Sequence, residues 1–165
     1  DVERSRGLGD VYKRQEVTLP DGVTDIGRHV FESCCCITEM IPPKGLRKIG
    51  NGAFQGCRML EKVVLPDGIA EIVDSLFSGC YTLTEIVIPK SVTTVSRYCF
   101  ENCQCMKRYY FLPDSPPELT TTGTFLGLPK DCKFYVPKGR LDVYQTAESW
   151  SSYASYMVEM EGDVL

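Results

Sequence analysis

The sequence predicts an α/β-type repeat solenoid, mainly β, with short parallel strands, few short helical or 3₁₀ turns and a C-terminal capping helix. Three columns of residues carry that prediction. Phe31, Phe54, Phe77 and Phe100 lie 23 residues apart, as do Cys34, Cys57, Cys80 and Cys103, and Pro20, Pro43, Pro66 and Pro89. A period of this length marks coils that cannot bury their own apolar face and rely on neighbouring coils for the rest.

Residues 16–38, 39–61, 62–84 and 85–107 align without a gap. More columns follow: Val23, Leu46, Ile69 and Val92; Ile26, Ile49, Ile72 and Val95; Ile37, Leu60, Leu83 and Met106. Each coil opens on an extended run such as Glu85-Ile86-Val87-Ile88, rich in β-branched residues. Side chains alternate across a strand, so Ile86 and Ile88 point inward while Glu85 and Val87 point out. Proline ends the strand because it lacks the ladder donor. Gly22, Gly45 and Gly68, replaced by Ser91 in the fourth coil, then allow a sharp turn. A second short strand follows, as in Val23-Thr24-Asp25-Ile26. The remaining stretch is too short for a long helix and reads as a helical or 3₁₀ turn that presses the Phe inward.

The pattern I-x-I-P-x-G-V-x-x-I-G-x-x-A-F-x-G-C-x-x-L, clearest in Ile49-Gly50-Asn51-Gly52-Ala53-Phe54-Gln55-Gly56-Cys57, resembles the BspA-like leucine-rich repeat over residues 16–107. That resemblance implies a right-handed leucine-rich-repeat solenoid, of a kind often found on secreted or surface-attached bacterial proteins that bind other molecules. It implies no catalytic residues.

At 165 residues and 43% hydrophobic, the chain suits one domain. A net charge of −4 argues against nucleic acid, which favours a basic stripe. No apolar run approaches the ~20 residues of a membrane span. The opening DVERSRGLGDVYKRQ has no apolar core of a signal peptide, so an extracellular or cell-surface location requires a signal outside this chain. The nine cysteines read mainly as packing. The Cys34/57/80/103 column stacks at the ~4.8 Å strand spacing, wider than the ~3.8 Å between Cβ atoms of a disulfide. Buried free thiols serve there as small hydrophobes, and Cys99 joins them in the place of Ala53. Cys35, Cys36, Cys105 and Cys132 lie off the column, and their redox state stays open.

The ends depart from the repeat. Residues 1–15 place Glu3 and Arg14 where a preceding coil needs aliphatic side chains, which reads as a non-native leader joined to an array that naturally continues upstream. Residues 108–165 read as a degenerate fifth repeat and a cap. Lys107–Phe111 forms a fifth strand, Phe125 retains the inward Phe, and Lys133-Phe134-Tyr135-Val136-Pro137 forms a last strand. Leu141, Tyr144 and Ala147 share helical spacing and, with Trp150, supply a lid for the final coil.

Catalytic chemistry lacks its parts. His29 is the single histidine, in a column otherwise holding Gly52, Ser75 and Tyr98. A Cys-His dyad through Cys34 would place the nucleophile in a ladder of inert thiols. Cys99-x₃-Cys103 matches half a zinc site, yet both residues stand in apolar columns. Gly50 and Gly52 lack the rest of a dinucleotide fingerprint. No catalytic, cofactor or metal residue is expected.

Binding is the function left. The outward columns of the first strand face are Glu16, Glu39, Lys62, Glu85 and Arg108, and beside them Thr18, Ile41, Val64, Val87 and Tyr110. The second is an apolar stripe flanked by charge, as at interaction sites, although β-branched residues favour strands on any face. Five short strands give a footprint on the order of 300 Å², below the ~800 Å² per partner of a standard protein interface. The expected function is a non-catalytic binding or adhesion module for a protein or glycan, forming the C-terminal part of a longer bacterial surface or secreted protein. The alternatives are a structural spacer and a substrate-targeting appendage of a multidomain enzyme.

Overall fold

The structure, a computed structural model, describes residues 15–121 and 123–162. The expected leader falls almost wholly outside this range; Gln15 already belongs to the first strand. In chain order the strands are β1 (Gln15–Thr18), β2 (Asp25–Ile26), β3 (Ile37–Ile41), β4 (Lys48–Ile49), β5 (Lys62–Val63), β6 (Glu71–Ile72), β7 (Glu85–Ile88), β8 (Thr94–Val95), β9 (Arg108–Phe111), β10 (Glu118–Leu119) and β11 (Lys133–Val136). Helix α1 (Leu141–Thr146), a 3₁₀ helix (Ser151–Tyr156) and β12 (Met157–Glu159) complete the chain.

The chain is a mainly β, parallel solenoid in which each coil has three sides. The first carries β1-β3-β5 and β7-β9-β11-β12; the second carries β2-β4 and β6-β8-β10. Strands one coil apart pair in parallel, with Glu16 opposite Glu39, Glu39 opposite Lys62, and Glu85 opposite Arg108. The ladder thus steps by the period of the sequence. Beyond the fourth coil the step lengthens, as in Arg108 opposite Lys133. Lys133–Val136 is not the last strand: Met157–Glu159 pairs in parallel beyond it. Its Met157-Val158-Glu159 lies outside the 23-residue frame, so periodicity could not reveal it.

The third side is a run of turns rather than a regular helix. Its backbone still forms a ladder. The N–H groups of Phe31, Phe54, Phe77 and Phe100 donate to the carbonyls of Ala53, Leu76, Cys99 and Thr124 in the next coil, at 2.8–3.1 Å. Two positions per coil have left-handed backbone: His29, Gly52, Ser75 and Tyr98 in one column, and Ser33, Gly56, Gly79, Asn102 and Gly127 in the other. Gly52 is doubly constrained, because a Cβ there would meet the His29 ring at 2.5 Å. At the strand-ending turns, Gly22 and Gly68 take positive φ, and Gly45, after Pro42-Pro43, is not among the residues that do.

The Phe column is the core. Successive rings of Phe31, Phe54, Phe77, Phe100 and Phe125 stack at 5.2–5.8 Å with 4–18° between planes. Ile26, Ile49, Ile72 and Val95 fill the second strand side, and Met40, Val63, Ile86 and Tyr109 the first. In the C-terminal segment Tyr144 and Trp150 are fully buried, Trp150 as a packing anchor. The Tyr144 hydroxyl donates to the Pro113 carbonyl and the Trp150 indole N–H to that of Pro117, both at 2.7 Å. Leu141 and Ala147 pack against the core from the edge, although Ala147 is already extended and ends α1.

Candidate binding face

All nine cysteines are free, but the column does more than fill space. Cys57 Sγ donates to the Phe31 carbonyl at 3.0 Å, Cys80 to that of Phe54 at 3.2 Å, and Cys103 to that of Phe77 at 3.3 Å. Each thiol thereby adds a second donor to a carbonyl of the preceding coil that already accepts the N–H of Cys34, Cys57 or Cys80. Burial pushes Cys57 and Cys103 up from the ordinary 9 to about 12, and lifts Cys80 and Cys99 as well. These thiols stay protonated at neutral pH and are inert as nucleophiles. Cys34 departs from the expectation: it is only half-buried, because it belongs to the first described coil. Cys132 is buried, and its N–H bonds the Pro129 carbonyl as that of Met106 bonds Cys103. It therefore continues the Ile37/Leu60/Leu83/Met106 column, displaced by the longer fifth coil. Cys35 and Cys105 are exposed and Cys36 half-buried.

His29 is exposed, with Nδ1 3.2 Å from the Glu32 carboxylate and φ in the left-handed region. Among the described residues, no group of three or more His, Cys, Asp or Glu could hold a metal ion. None of their helices is long and apolar enough to cross a membrane.

The first strand side brings the predicted face together. Thr18 pairs with Ile41, and Val87 with Tyr110. Ile41 and Val64 are 44% and 46% exposed, while Val87 and Tyr110 are half-buried. Tyr135 and Val158 extend the column, which the sequence reading missed. The signal was present, since Lys133-Phe134-Tyr135-Val136 repeats the charged-in-out-in order of Arg108-Tyr109-Tyr110-Phe111. The Tyr110 and Tyr135 rings stack at 4.9 Å. Partial burial raises the Tyr110 hydroxyl above its ordinary range.

The charged column is largely self-paired. Lys62 Nζ lies 2.8 Å from Glu39, and Arg108 holds Glu85 through Nε and Nη2 at 3.0 and 2.7 Å. The Glu39 carboxylate hydrogen-bonded to Lys62 raises its ammonium, and Glu16 and Glu85 add smaller contributions. Glu85 acts on Arg108 in the same way. A groove of about 640 Å³ is lined by Ile41, Val64, Leu65, Val87 and Tyr110, together with Lys62 and Glu85 of the two ion pairs and with Lys44 and Asp67.

Parallel coils, a stacked Phe column and a thiol ladder define a leucine-rich-repeat solenoid with an outward strand face. The BspA-type leucine-rich-repeat model matches residues 10–116 in six copies, and the chain belongs to that family. Two solved proteins share the fold with modest sequence likeness. A leucine-rich cell surface protein from Faecalibacterium prausnitzii is 27% identical with a TM-score of 0.65, over 73% of this chain and 31% of its own. A leucine-rich repeat protein from Bacteroides ovatus is 26% identical with a TM-score of 0.52, over 73% and 39%. The pneumococcal vaccine antigen PcpA, 17% identical over 90% of this chain and 42% of its own, shares the fold with a TM-score of 0.55. The chain thus spans between three and four tenths of the length of the first two. No curated protein sequence matches it.

Proposed function

We propose that this chain is a non-catalytic binding module that recognises a protein or glycan through its first strand side, as part of a bacterial surface or secreted protein. One observation carries the reading: an outward apolar column, with Ile41 and Val64 exposed and Val87 and Tyr110 half-buried, lines a groove while the charges beside it are paired within the chain. Exposed apolar surface of this kind marks interaction sites. Protonated, buried thiols and an exposed lone histidine support a module without catalysis. The cell-surface setting of the Faecalibacterium protein supports an extracellular location.

The test uses a glycan array and a panel of purified extracellular-matrix proteins, probed with the wild type and with Val64→Asp/Tyr110→Ala. Binding to at least one probe, weakened more than about tenfold in the variant at unchanged melting temperature, is the expected result. Undiminished binding by the variant would move the site off the strand face. No binding by the wild type would favour a spacer.

A further inference from the structure

Three places in the chain set an Asp or Asn directly before a Gly: Asp21-Gly22, Asn51-Gly52 and Asp67-Gly68. Such a pair is open to an intramolecular reaction, because glycine has no side chain to shield its amide nitrogen from the neighbouring side-chain carbonyl. The structure treats the three nitrogens differently. Gly52 N–H lies in the turn-side ladder and donates to the Asp74 carbonyl at 2.9 Å. Gly68 N–H donates to the Ser91 hydroxyl of the next coil at 3.0 Å. Gly22 N–H has no hydrogen-bond partner among the described residues.

The two Asp-Gly turns are otherwise alike. Each follows a proline of the periodic column, both aspartates are exposed, and Gly22 and Gly68 have φ of 102° and 104°. What differs is the residue one coil further on. Opposite Gly22 stands Gly45, and opposite Gly68 stands Ser91, the exception in that glycine column. The Ser91 hydroxyl is fixed in place, since it donates to the Ile69 carbonyl at 2.8 Å while accepting from Gly68. A Cβ at Gly45 would meet nothing within 4 Å, so the second coil has room for the same hydroxyl and lacks it.

We propose that Asp21-Gly22 is a site of spontaneous isomerisation to isoaspartate, and that Ser91 is a clamp that guards Asp67-Gly68 against the same reaction. The Gly22 nitrogen attacks Cγ of Asp21. The new N–Cγ bond closes a succinimide, and the amide hydrogen leaves with the carboxyl hydroxyl as water. A second water then opens the ring. Cleavage of the N–Cγ bond restores aspartate. Cleavage between the nitrogen and the Asp21 main-chain carbonyl carbon routes the chain through the side chain and leaves isoaspartate. The reaction needs no oxidant, reductant or enzyme, and the product has the mass of the starting chain. A nitrogen whose N–H is held by an acceptor must give up that bond before it can attack. The difference bears on the strand face, because Asp67 lines the groove and Asp21 does not. The guarded turn is thus the one at the groove.

Ageing of the ligand-free chain at a temperature where it stays folded, followed by peptide mapping with isoaspartyl methyltransferase labelling, tests the assignment. The expected result is isoaspartate at Asp21 at least about threefold in excess of that at Asp67. Ser91→Ala removes the clamp and should raise Asp67 to the level of Asp21. Gly45→Ser supplies a clamp to the first turn and should lower Asp21 by the same factor. Equal accumulation at the two sites in the wild type would overturn the proposal. An excess at Asp21 that both substitutions leave unchanged would overturn it too, because something other than the hydrogen bond would then set the rates. Circular dichroism checks that each variant is folded, and if Ser91→Ala is not, the Gly45→Ser arm decides.

Discussion

The periodic array and the C-terminal segment bury aromatic rings in opposite ways. In the array each Phe lies nearly parallel to the next, with 13–18° between planes from Phe31 to Phe100, so one packing solution is repeated. In the C-terminal segment Trp150 meets Phe111 at 88°, Phe134 at 80° and Tyr144 at 74°. That arrangement occurs once and satisfies ring quadrupoles edge to face. The array is held by backbone ladders and thiol bonds to carbonyls. The segment after it continues the ladder through β11 and β12, and adds single side-chain bonds found nowhere in the array, Tyr144 to Pro113 and Trp150 to Pro117. A repeated contact spreads its stabilisation over many coils, whereas a unique one concentrates it.

The largest expected effect follows from that concentration. Trp150→Ala removes a fully buried ring and leaves the Pro117 carbonyl without its donor, at about 5 kcal/mol. Phe54→Ala removes a ring stacked on both faces, between Phe31 and Phe77, at about 3–5 kcal/mol. Urea unfolding of both variants measures the difference. A loss below ~1 kcal/mol at Phe54 would show that the Phe column is not the core. A Trp150 variant less costly than the Phe54 variant would show that the C-terminal packing is dispensable.

The array was the legible part because its physics repeats. Phe54, Cys57 and Ile49 occupy columns whose meaning is multiplied by every coil, and the inward-outward alternation of Glu85–Ile88 follows from strand geometry alone. Ile41, Val64, Val87 and Tyr110 could therefore be placed on one face without coordinates. Tyr135 escaped because the fifth coil is longer and shifts it out of frame. The bonds from Cys57, Cys80 and Cys103 escaped because a cysteine column predicts small buried side chains but says nothing of where an S–H points. The left-handed backbone at Tyr98 and Asn102 was hidden for a related reason: those columns hold glycine only in some coils.

A smaller effect sharpens the contrast through pH. Burial raises Cys57, Cys103 and Cys132 from 9 to about 12, and Cys80 and Cys99 are also raised. A thiol with a raised folded pKa holds its proton in the native state after the unfolded chain has released it. The native state then binds more protons than the unfolded one, so stability falls as pH rises. The contribution is complete below about pH 9 and is lost progressively towards pH 12. Four of these five thiols belong to the array. The urea midpoint should therefore drop steadily above pH 9, and Cys80→Ala should flatten that drop even though it weakens the protein at pH 7. A midpoint constant from pH 8 to pH 11 would contradict the burial of the thiol ladder.

The smallest effect belongs to the charges of the strand face. Glu85 and Arg108 are 49% and 45% exposed, so water screens their attraction and two flexible side chains lose freedom to hold it. A double-mutant cycle with Glu85→Ala and Arg108→Ala should give a coupling below ~1 kcal/mol, weaker still in high salt. That outcome would separate the face from the fold. The array would stand on its rings, ladders and thiols, and the charged column would remain free to exchange its internal partners for those of a bound molecule. A coupling several times larger would make the Glu85–Arg108 pair part of the scaffold of the fourth and fifth coils, and would leave Ile41, Val64, Val87 and Tyr110 as the part of the face available to a partner.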